Sequence, residues 1–555
     1  MKVLLAAVNA KYIHSNPAVY SLRAYAAGYA SCVEIAEYTI NQSAGAILAD
    51  LYERRPRMIA FSCYIWNWRM IRGLLWDLQQ ILPDTDIWLG GPEVSYDAPA
   101  VLKTYPWLTG IMVGEGEETF RELMGYYCGE DIRLTEVSGI CLPGIVMTPA
   151  RELPDMDRLP FPYDDTAVFQ NRIIYYESSR GCPYRCSYCL SGIEKAVRLR
   201  SLPLVKRELD FFLERRVAQV KFVDRTFNCR RSHALAVWRY LAEHDNGVTN
   251  FHFEIAAELL QAEEIALLQC VRPGLIQLEI GVQSTNSDTL RAIHRHTDLI
   301  RLREAVGQIR AGGRVHMHLD LIAGLPYEDY DSFVRSFDDV YAMHPHQFQL
   351  GFLKVLKGSP LYEKTREYGI AYSSEPPYEV LYTRWLSYAE LRRLKLVEEM
   401  VELYYNSGQF RHTLTALEHA FASPFRLYEK LGAFYEERGY VTNHPARSRR
   451  YDILLEFACS GDGEHAALYR ELLTFDLYLR EKCKSRPAFA CDLTAYRAAL
   501  RTYGEDRADH VEPFFYPVWA GSLEEMEVRR ERPAFVRFHY AERDPLNHDA
   551  EITVL

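Results

Sequence analysis

Short apolar runs alternate with stretches of helical periodicity along the first 130 residues of the chain. This alternation is typical of an open, doubly wound parallel sheet, and it predicts an N-terminal Rossmann-like domain. Ligands of such sheets bind beyond the carboxyl ends of the strands, so we expect a crevice at that edge. The apolar runs lie at 3–9, 32–40, 58–65, 86–91 and 110–114.

A second alternation follows, and six β-α units can be counted in it. Right-handed crossovers between parallel strands would curl such a sheet into a partial (β/α)6 barrel of the TIM type. In barrels of this type the chemistry lies at the carboxyl ends of the strands. The strands are predicted at 173–178, 220–224, 251–257, 276–283, 315–323 and 347–354.

Helical periodicity dominates after residue 376, and the residues past 510, with several prolines, show no regular pattern. A proline-rich stretch at 141–163 has no clean period and is expected to be a semi-rigid connector. The α/β chain is therefore predicted to divide into a Rossmann-like domain, a linker, a barrel and a mostly helical C-terminal domain. Their expected bounds are 1–135, 136–168, 169–374 and 375–555.

Composition and charge argue against several classes of protein. The 555 residues carry a net charge of −11, which argues against a general nucleic-acid surface. No run of eighteen apolar residues occurs and the N-terminus leads directly into a strand pattern, so neither a membrane span nor a signal peptide is expected. Twelve cysteines are too dilute for a disulfide scaffold, and we expect a cytoplasmic protein.

Three cysteines stand directly after the first predicted barrel strand. Cys182, Cys186 and Cys189 have the spacing C-x-x-x-C-x-x-C. Three thiolates on one loop can hold three corners of a 4Fe-4S cluster and leave the fourth iron open. The alternative is a structural zinc site, which needs four ligands, and no fourth cysteine or histidine lies nearby.

This spacing, with Tyr188 before the last cysteine, resembles the signature of the radical S-adenosylmethionine (SAM) superfamily. The resemblance implies that SAM chelates the open iron and is cleaved to a 5'-deoxyadenosyl radical. It also implies an external low-potential reductant such as flavodoxin or ferredoxin. Tyr188 is a SAM contact by this resemblance.

Small residues follow three strands of the N-terminal domain, at Ser62, at Gly90-Gly91 and at Gly114. Glycine lets a bulky ligand approach the backbone. With the cysteine motif downstream, this arrangement resembles the cobalamin-binding domain of one branch of radical SAM enzymes, and it implies that these four residues contact cobalamin. The alternative is a doubly wound domain that binds no corrin.

The familiar Asp-x-His-x-x-Gly cobalt-binding loop is absent from the sequence. His14 lies in the corresponding loop, without the aspartate two positions before it or the glycine three positions after it. We therefore expect His14 to be an ordinary loop residue, with cobalt ligation as the alternative.

Polar residues also lie on the predicted barrel strands, where contact with a ligand is favoured over core packing. Asp224 could accept a hydrogen bond from the ammonium of SAM, and Glu254, Glu279 and Gln283 lie on the third and fourth strands. His316, His318 and Asp320 share one face of the fifth strand, as hydrogen-bonded residues near SAM or substrate or as a metal site. Arg180 and Arg185 could be solvated charges flanking the cysteine loop.

Together these features predict a cobalamin-dependent radical SAM enzyme, and methylation of an unactivated carbon is the favoured activity. Three alternatives stay open. They are a radical SAM cyclase or rearrangement enzyme without methyl transfer, an RNA methylthiotransferase-like enzyme, and a non-catalytic iron-sulfur binding module. The sequence identifies neither the substrate nor the hydrogen donor.

Overall fold

The N-terminal domain is built on a seven-stranded sheet with the order β2-β1-β3-β4-β5-β6-β7. The computed structural model describes residues 2–144, 146–194, 196–503 and 508–555. The first five strands pair in parallel, and the last two join antiparallel. The strands are β1 (Val3–Asn9), β2 (Val33–Thr39), β3 (Met58–Ser62), β4 (Asp86–Gly90), β5 (Gly110–Met112), β6 (Ile140–Leu142) and β7 (Val146–Met147).

Helices cover both faces of this sheet, which explains why its central strands are apolar up to their last residues, Asn9 and Ser62. Every residue of β1 and β3 is buried, as expected for parallel strands packed on both sides. The doubly wound fold predicted from the alternation is confirmed. The helices are α1 (Pro17–Tyr25), α2 (Ala44–Arg54), α3 (Trp68–Ile81), α4 (Pro92–Ser95), α5 (Ala98–Thr104) and α6 (Glu117–Tyr127).

The central domain is a six-stranded parallel sheet with the order β15-β14-β13-β12-β11-β8. Strands β8 and β15 stand at its two ends, so the barrel is partial, as predicted. A short antiparallel pair, β9 and β10, brackets the cysteine loop. The strands are β8 (Ile174–Tyr176), β9 (Ser179–Arg180), β10 (Arg198–Leu199), β11 (Gln219–Phe222), β12 (Asn250–Ile255), β13 (Ile276–Gln283), β14 (His316–Ala323) and β15 (Gln347–Phe352).

Alternation along β13 and β14 separates two environments. Their apolar residues are fully buried, whereas the polar residues between them are partly accessible. The barrel interior is therefore lined by polar side chains. The helices of this domain are α7 (Leu202–Glu214), α8 (Arg231–Glu243), α9 (Ala262–Leu268), α10 (Ser287–Ala292), α11 (Leu299–Gly312), α12 (Tyr330–Tyr341) and α13 (Pro360–Glu363).

The C-terminal domain is mostly helical, as predicted, and no helix in the described ranges is long and apolar enough to cross a bilayer. A hairpin of β16 (Ala371–Tyr372) and β17 (Val380–Tyr382) precedes its helices. These are α14 (Tyr388–Met400), α15 (Arg411–Glu418), α16 (Pro424–Glu437), α17 (Tyr440–Asn443), α18 (Arg447–Gly461), α19 (Ala466–Arg480), α20 (Arg497–Tyr503) and α21 (Leu523–Met526).

The expectation of irregular structure past residue 510 is wrong. A three-stranded antiparallel sheet of β18 (His510–Phe514), β19 (Ala534–Arg543) and β20 (Ala550–Val554) forms there. Pro513 obscured the pattern, because proline argues against a central strand. Strand β18 lies at the edge of the sheet, where a residue without an N–H group is tolerated.

Candidate functional site

The cysteine loop lies at the carboxyl end of the barrel strands, directly after β9. Cys182 and Cys186 are buried, Cys189 is half-buried, and all three are free thiols. Backbone hydrogen bonds fix the middle of the loop, since the Ser187 N–H donates to Ile293 at 2.8 Å and the Ser187 carbonyl accepts from Leu361 at 2.8 Å. The sequence prediction placed the loop at this mouth, and the structure agrees.

Two residues that the sequence analysis missed contact the thiols. Nη1 of Arg295 lies 3.7 Å from the Cys186 sulfur, and the Thr226 hydroxyl lies 3.5 Å from the Cys182 sulfur. Burial raises the pKa of the Cys186 thiol, and the positive charge of Arg295 opposes that effect. The basic run Arg291–His296 was the only sequence signal for Arg295.

The donor set fits a cubane cluster better than a single ion. No three histidine, cysteine, aspartate or glutamate side chains in the described ranges converge as the ligands of one metal ion would. A cubane places each sulfur on a different iron, so its thiolates need not converge on one point. Three free thiols on one loop with a guanidinium beside them suit a 4Fe-4S cluster.

Asp224 holds the strand that leads into the cysteine loop. Its carboxylate accepts from the Ser178 hydroxyl at 2.7 Å, the Ser178 N–H at 3.0 Å and the Ser179 hydroxyl at 2.6 Å. Burial raises its pKa, and these hydrogen bonds oppose the change. The structure thus gives Asp224 a positioning role, and its contact with SAM stays a prediction.

Glu279 forms an ion pair inside the barrel. Nζ of Lys221 lies 2.9 Å from its carboxylate, and the imidazole of His252 lies 3.0 Å from it. Although burial opposes ionisation, these two partners lower the pKa of Glu279 to about 2. Burial raises the pKa of nearby Glu254 to about 7, with Arg225 opposing it. Of these two predicted SAM residues, Glu279 is therefore the stronger acid and is ionised at neutral pH, whereas Glu254 titrates near neutral pH.

Two buried side-chain oxygens on β13 and β14 have no protein partner in the described part of the chain. They are Oε1 of Gln283 and Oδ1 of Asp320, and both are buried. Gln283 has a φ of +71°, and the register between β13 and β14 shifts there. Buried polar groups normally have partners, so these atoms are suited to a bound polar ligand such as SAM.

One face of β14 carries polar side chains, as the sequence predicted. The rings of His316 and His318 lie 4.9 Å apart, and Gln277 lies 2.7 Å from Nε2 of His318. No metal-ion ligand set occurs among the described residues, and these side chains contact one another as polar neighbours. His316 lies at the amino end of the strand, away from the cysteine loop.

All four residues predicted to contact cobalamin line one cavity of about 580 Å³. Ser62, Gly90, Gly91 and Gly114 form its N-terminal side, and Arg180 and Gly181 at the start of the cysteine loop form the other. The Ser62 hydroxyl accepts from Asn16 at 2.8 Å and keeps its own proton to donate. The cavity therefore joins the edge of the first sheet to the barrel mouth.

The glycines of this cavity serve different purposes. At Gly91, where φ is +102°, an added Cβ would lie 2.6 Å from the Cys63 carbonyl oxygen, so this glycine permits two loops to pack together. At Gly114, where φ is +84°, an added Cβ would meet open space. The expected role of glycine in admitting a ligand therefore fits Gly114, whereas Gly91 is already required by the packing of its own loop, and its contact with cobalamin stays a prediction.

Arg180 is not a solvated charge, contrary to one interpretation of the sequence. Its side chain is 14% exposed and forms ion pairs with Glu115 at 2.7 Å, Glu117 at 2.6 Å and Glu177 at 2.8 Å. Although burial disfavours its charge, these carboxylates raise the pKa of Arg180 well above its usual value. Arg180, two positions before Cys182, is thereby bound to the loop that follows β5.

His14 lies in a neighbouring cavity of about 540 Å³ between the two domains. Its Nδ1 lies 2.7 Å from the Tyr175 hydroxyl on β8, and its backbone pairs with Ile173. It does not line the cavity that holds the four predicted cobalamin residues. The interpretation of His14 as a loop residue stays a prediction.

Three family models match consecutive parts of the chain. A B12 binding domain matches residues 3–124, the radical SAM superfamily matches residues 176–340, and a protein family of unknown function, DUF4080, matches residues 366–511. The first two matches confirm that a B12 binding domain precedes a radical SAM domain, as the sequence predicted. They also confirm the predicted cofactors, since the radical SAM match implies a 4Fe-4S cluster and SAM and the B12 match implies cobalamin.

Two curated relatives are methyltransferases by name, and the name of the first also states cobalamin dependence and radical SAM chemistry. The chain is 27% identical over 350 residues to the cobalamin-dependent radical SAM methyltransferase TokK of Streptomyces tokunonensis, covering 57% of this chain and 50% of the relative. It is 28% identical over 302 residues to the 2-(S-pantetheinyl)-carbapenam-3-carboxylate methyltransferase of Streptantibioticus cattleyicolor, covering 50% and 44%. The chain thus spans about half the length of these relatives.

A solved structure supports the same fold. The cobalamin-dependent SAM radical enzyme OxsB, with aqua-cobalamin bound, superposes with a TM-score of 0.58 at 14% identity, covering 94% of this chain and 78% of that one. At this identity the likeness concerns the fold alone. Motif, fold and family matches agree, and the chain contains a B12 binding domain, a radical SAM domain and a C-terminal DUF4080 domain.

Proposed function

We propose that this protein is a cobalamin-dependent radical SAM methyltransferase that methylates an unactivated carbon. The observation that carries the proposal is the shared cavity, because Ser62 and Gly114 line the same space as Arg180 and Gly181 beside the first cluster cysteine. A corrin bound by the first sheet would thus face the cysteine loop across a common space. The names of the two curated relatives favour methyl transfer over cyclisation.

The bound cofactors supply the chemistry in this proposal, with SAM at the cluster as the source of hydrogen abstraction and the corrin as the methyl carrier. The protein supplies position. Asp224 orients the approach to the cysteine loop through Ser178 and Ser179, and Arg180 fixes that loop against the N-terminal domain. Holding both cofactors on rigid elements keeps the reacting groups in a productive geometry.

The electrostatics of the barrel interior suit SAM. Glu279 is ionised near neutral pH, whereas buried Asp320 has a raised pKa, because burial and the nearby carboxylates of Glu279 and Glu254 disfavour its charge. Gln283 and Asp320 each offer an oxygen without a partner among the described residues. We propose that these oxygens accept hydrogen bonds from the ammonium and hydroxyl groups of SAM.

Reductive cleavage of SAM consumes an electron, so we propose an external low-potential donor such as flavodoxin or ferredoxin. We also propose that the protein acts in the cytoplasm.

The test is anaerobic reconstitution of the full chain with iron, sulfide and hydroxocobalamin. Bound iron and bound corrin are measured first. Methyl-labelled SAM and the low-potential reductant titanium(III) citrate are then added, and 5'-deoxyadenosine and transfer of the labelled methyl group to cobalamin are measured. We expect all four. The variant Cys182→Ala should retain corrin and lose SAM cleavage, whereas Cys270→Ala, an exposed cysteine outside the loop, should match the parent protein.

Other outcomes distinguish the alternatives. Deoxyadenosine with bound corrin but without methylated cobalamin would favour a cyclase or rearrangement enzyme. Deoxyadenosine without corrin would contradict cobalamin dependence, and cluster binding without SAM cleavage would favour a non-catalytic iron-sulfur module.

A further inference from the structure

A second large cavity lies at the end of the barrel opposite the cysteine loop. Its volume is about 920 Å³. Gln219, Asn250 and His316, at or near the starts of β11, β12 and β14, line one side, and residues of the C-terminal domain line the other. Because all parallel strands begin at the same end, this cavity is separate from the predicted cofactor site.

Three arginines line this cavity. Arg310 lies on α11, Arg411 begins α15 and Arg480 ends α19. Arg411 and Arg480 share one carboxylate, that of Asp549, at 2.7 and 3.3 Å. Two guanidinium groups against one carboxylate leave an excess positive charge on this wall.

Arg310 adds to that excess. Its Nη1 donates to the His344 carbonyl oxygen, and within the described ranges no carboxylate pairs with it. Glu418 is the acidic residue among the described lining residues; burial raises its pKa, and its carboxyl accepts from the Tyr341 hydroxyl. The positive charge of the cavity is therefore not neutralised by its own lining.

The barrel side of the cavity offers polar and planar groups. Nδ1 of His316 is buried and has no partner in the described structure. The ring of His316 stacks on that of His346, with centroids 4.8 Å apart. Burial lowers the pKa of His316 to about 3, so its imidazole is neutral and can donate or accept a hydrogen bond.

We propose that this cavity binds a small organic anion, whose phosphate or carboxylate group is held by Arg310 with Arg411 and Arg480. Guanidinium groups bind both kinds of anion through paired hydrogen bonds. The volume falls in the range of small-molecule sites, and it exceeds what a single inorganic ion needs. The DUF4080 domain contributes Arg411 and Arg480, so the site gives that domain a ligand-binding role.

The test is calorimetric titration of the full, cofactor-loaded chain with ribose 5-phosphate, succinate and inorganic phosphate. We expect one of the two organic anions to bind with one-to-one stoichiometry, and the organic anion that binds shows whether the site prefers phosphate or carboxylate. Arg310→Glu should weaken that binding at least tenfold, and Arg310→Gln less. The matched control Arg301→Gln, on the same helix but outside the cavity, should bind like the parent protein.

The ligand-free circular dichroism and melting temperature of each variant establish that it is folded, which is expected because Arg310 is exposed. The proposal is overturned if neither organic anion binds, if inorganic phosphate binds and the organic anions do not, or if Arg310→Glu binds as the parent does. None of these results depends on SAM cleavage, so they are independent of the proposed methyltransferase activity.

Discussion

Nη1 of Arg295 lies 3.7 Å from the sulfur of Cys186, although 109 positions separate the two residues in the chain. The same guanidinium donates to the Gly281 carbonyl oxygen at the end of β13 and lies over the ring of Tyr184. A positive hydrogen-bond donor is therefore held against one predicted cluster ligand by contacts on two sides. Hydrogen bonds to sulfur and nearby charge are among the factors that set the potential of an iron-sulfur cluster.

Replacing Arg295 should make the cluster harder to reduce. A donor and a positive charge stabilise the more negative, reduced cluster, so Arg295→Met should lower the reduction potential. A loss of about 1 kcal/mol of differential stabilisation corresponds to roughly 40 mV for one electron. Potentiometric titration followed by electron paramagnetic resonance measures the shift. Arg295→Lys keeps the charge and should show a smaller change; an unchanged potential in Arg295→Met would contradict this role.

Arg180 is expected to hold the two domains together beside the cofactor site. Arg180→Met would leave Glu115, Glu117 and Glu177 without their shared cation. Breaking a buried ion pair on one side costs about 3–5 kcal/mol. We expect a lower melting temperature and weaker corrin retention, measured by thermal unfolding and by absorbance after gel filtration. The surface variant Arg291→Met, which breaks an exposed pair with Asp288, should change neither.

Local patterns in the sequence were sufficient to predict both α/β domains and the position of the cysteine loop, and the role of its cysteines as cluster ligands stays a prediction. Cys182, Cys186 and Cys189 form a contiguous motif, and the apolar runs that became β1 and β3 are short, continuous and bounded by polar residues, as expected of strands buried on both faces. The site residues that were missed depend on contacts between distant segments. Arg295 reaches Cys186 only because the chain after α10 returns to the cysteine loop, where Ile293 accepts from Ser187.

The sequence also did not predict which charged side chains of the site are buried and which of them form ion pairs. Arg185 and Arg180 look alike on either side of Cys182, yet Arg180 is buried among carboxylates that come from two domains. The alternation along β13 and β14 predicted which residues face inward, but not that Lys221 would pair with Glu279. Such pairings follow from barrel closure and from domain packing, which no local period encodes.

The ion pair of Glu279 should be visible in the pH dependence of stability. Its pKa falls from the ordinary value near 4.5 to about 2 on folding, so its contribution is present above pH 4.5 and is lost as the pH falls toward 2. Glu279→Gln should therefore destabilise the ligand-free chain by about 3 kcal/mol at pH 7, with a smaller difference at pH 4. Urea unfolding at the two pH values measures this; Glu304→Gln, an exposed residue of α11, is the control.

We expect that His14 does not ligate the cobalt of bound cobalamin. Its Nδ1 contacts Tyr175, and its side chain lines the cavity beside the one that holds Ser62 and Gly114. The paramagnetic resonance spectrum of the bound cob(II)alamin should show no histidine nitrogen splitting, and it should be the same in His14→Phe. A nitrogen splitting that disappears in the variant would instead identify His14 as the lower ligand.

Gly114 offers a direct test of the corrin cavity. An added side chain there would enter open space in the cavity wall, and asparagine tolerates positive φ better than most residues do. Gly114→Asn should therefore reduce corrin retention at least tenfold while the iron content and the fold are preserved. Gly313→Asn is the matched control, because Gly313 also has positive φ and open space around it but lies at the end of α11. Equal corrin retention in both variants would place the corrin elsewhere, whereas a loss confined to Gly114→Asn would locate it between the first sheet and the cysteine loop.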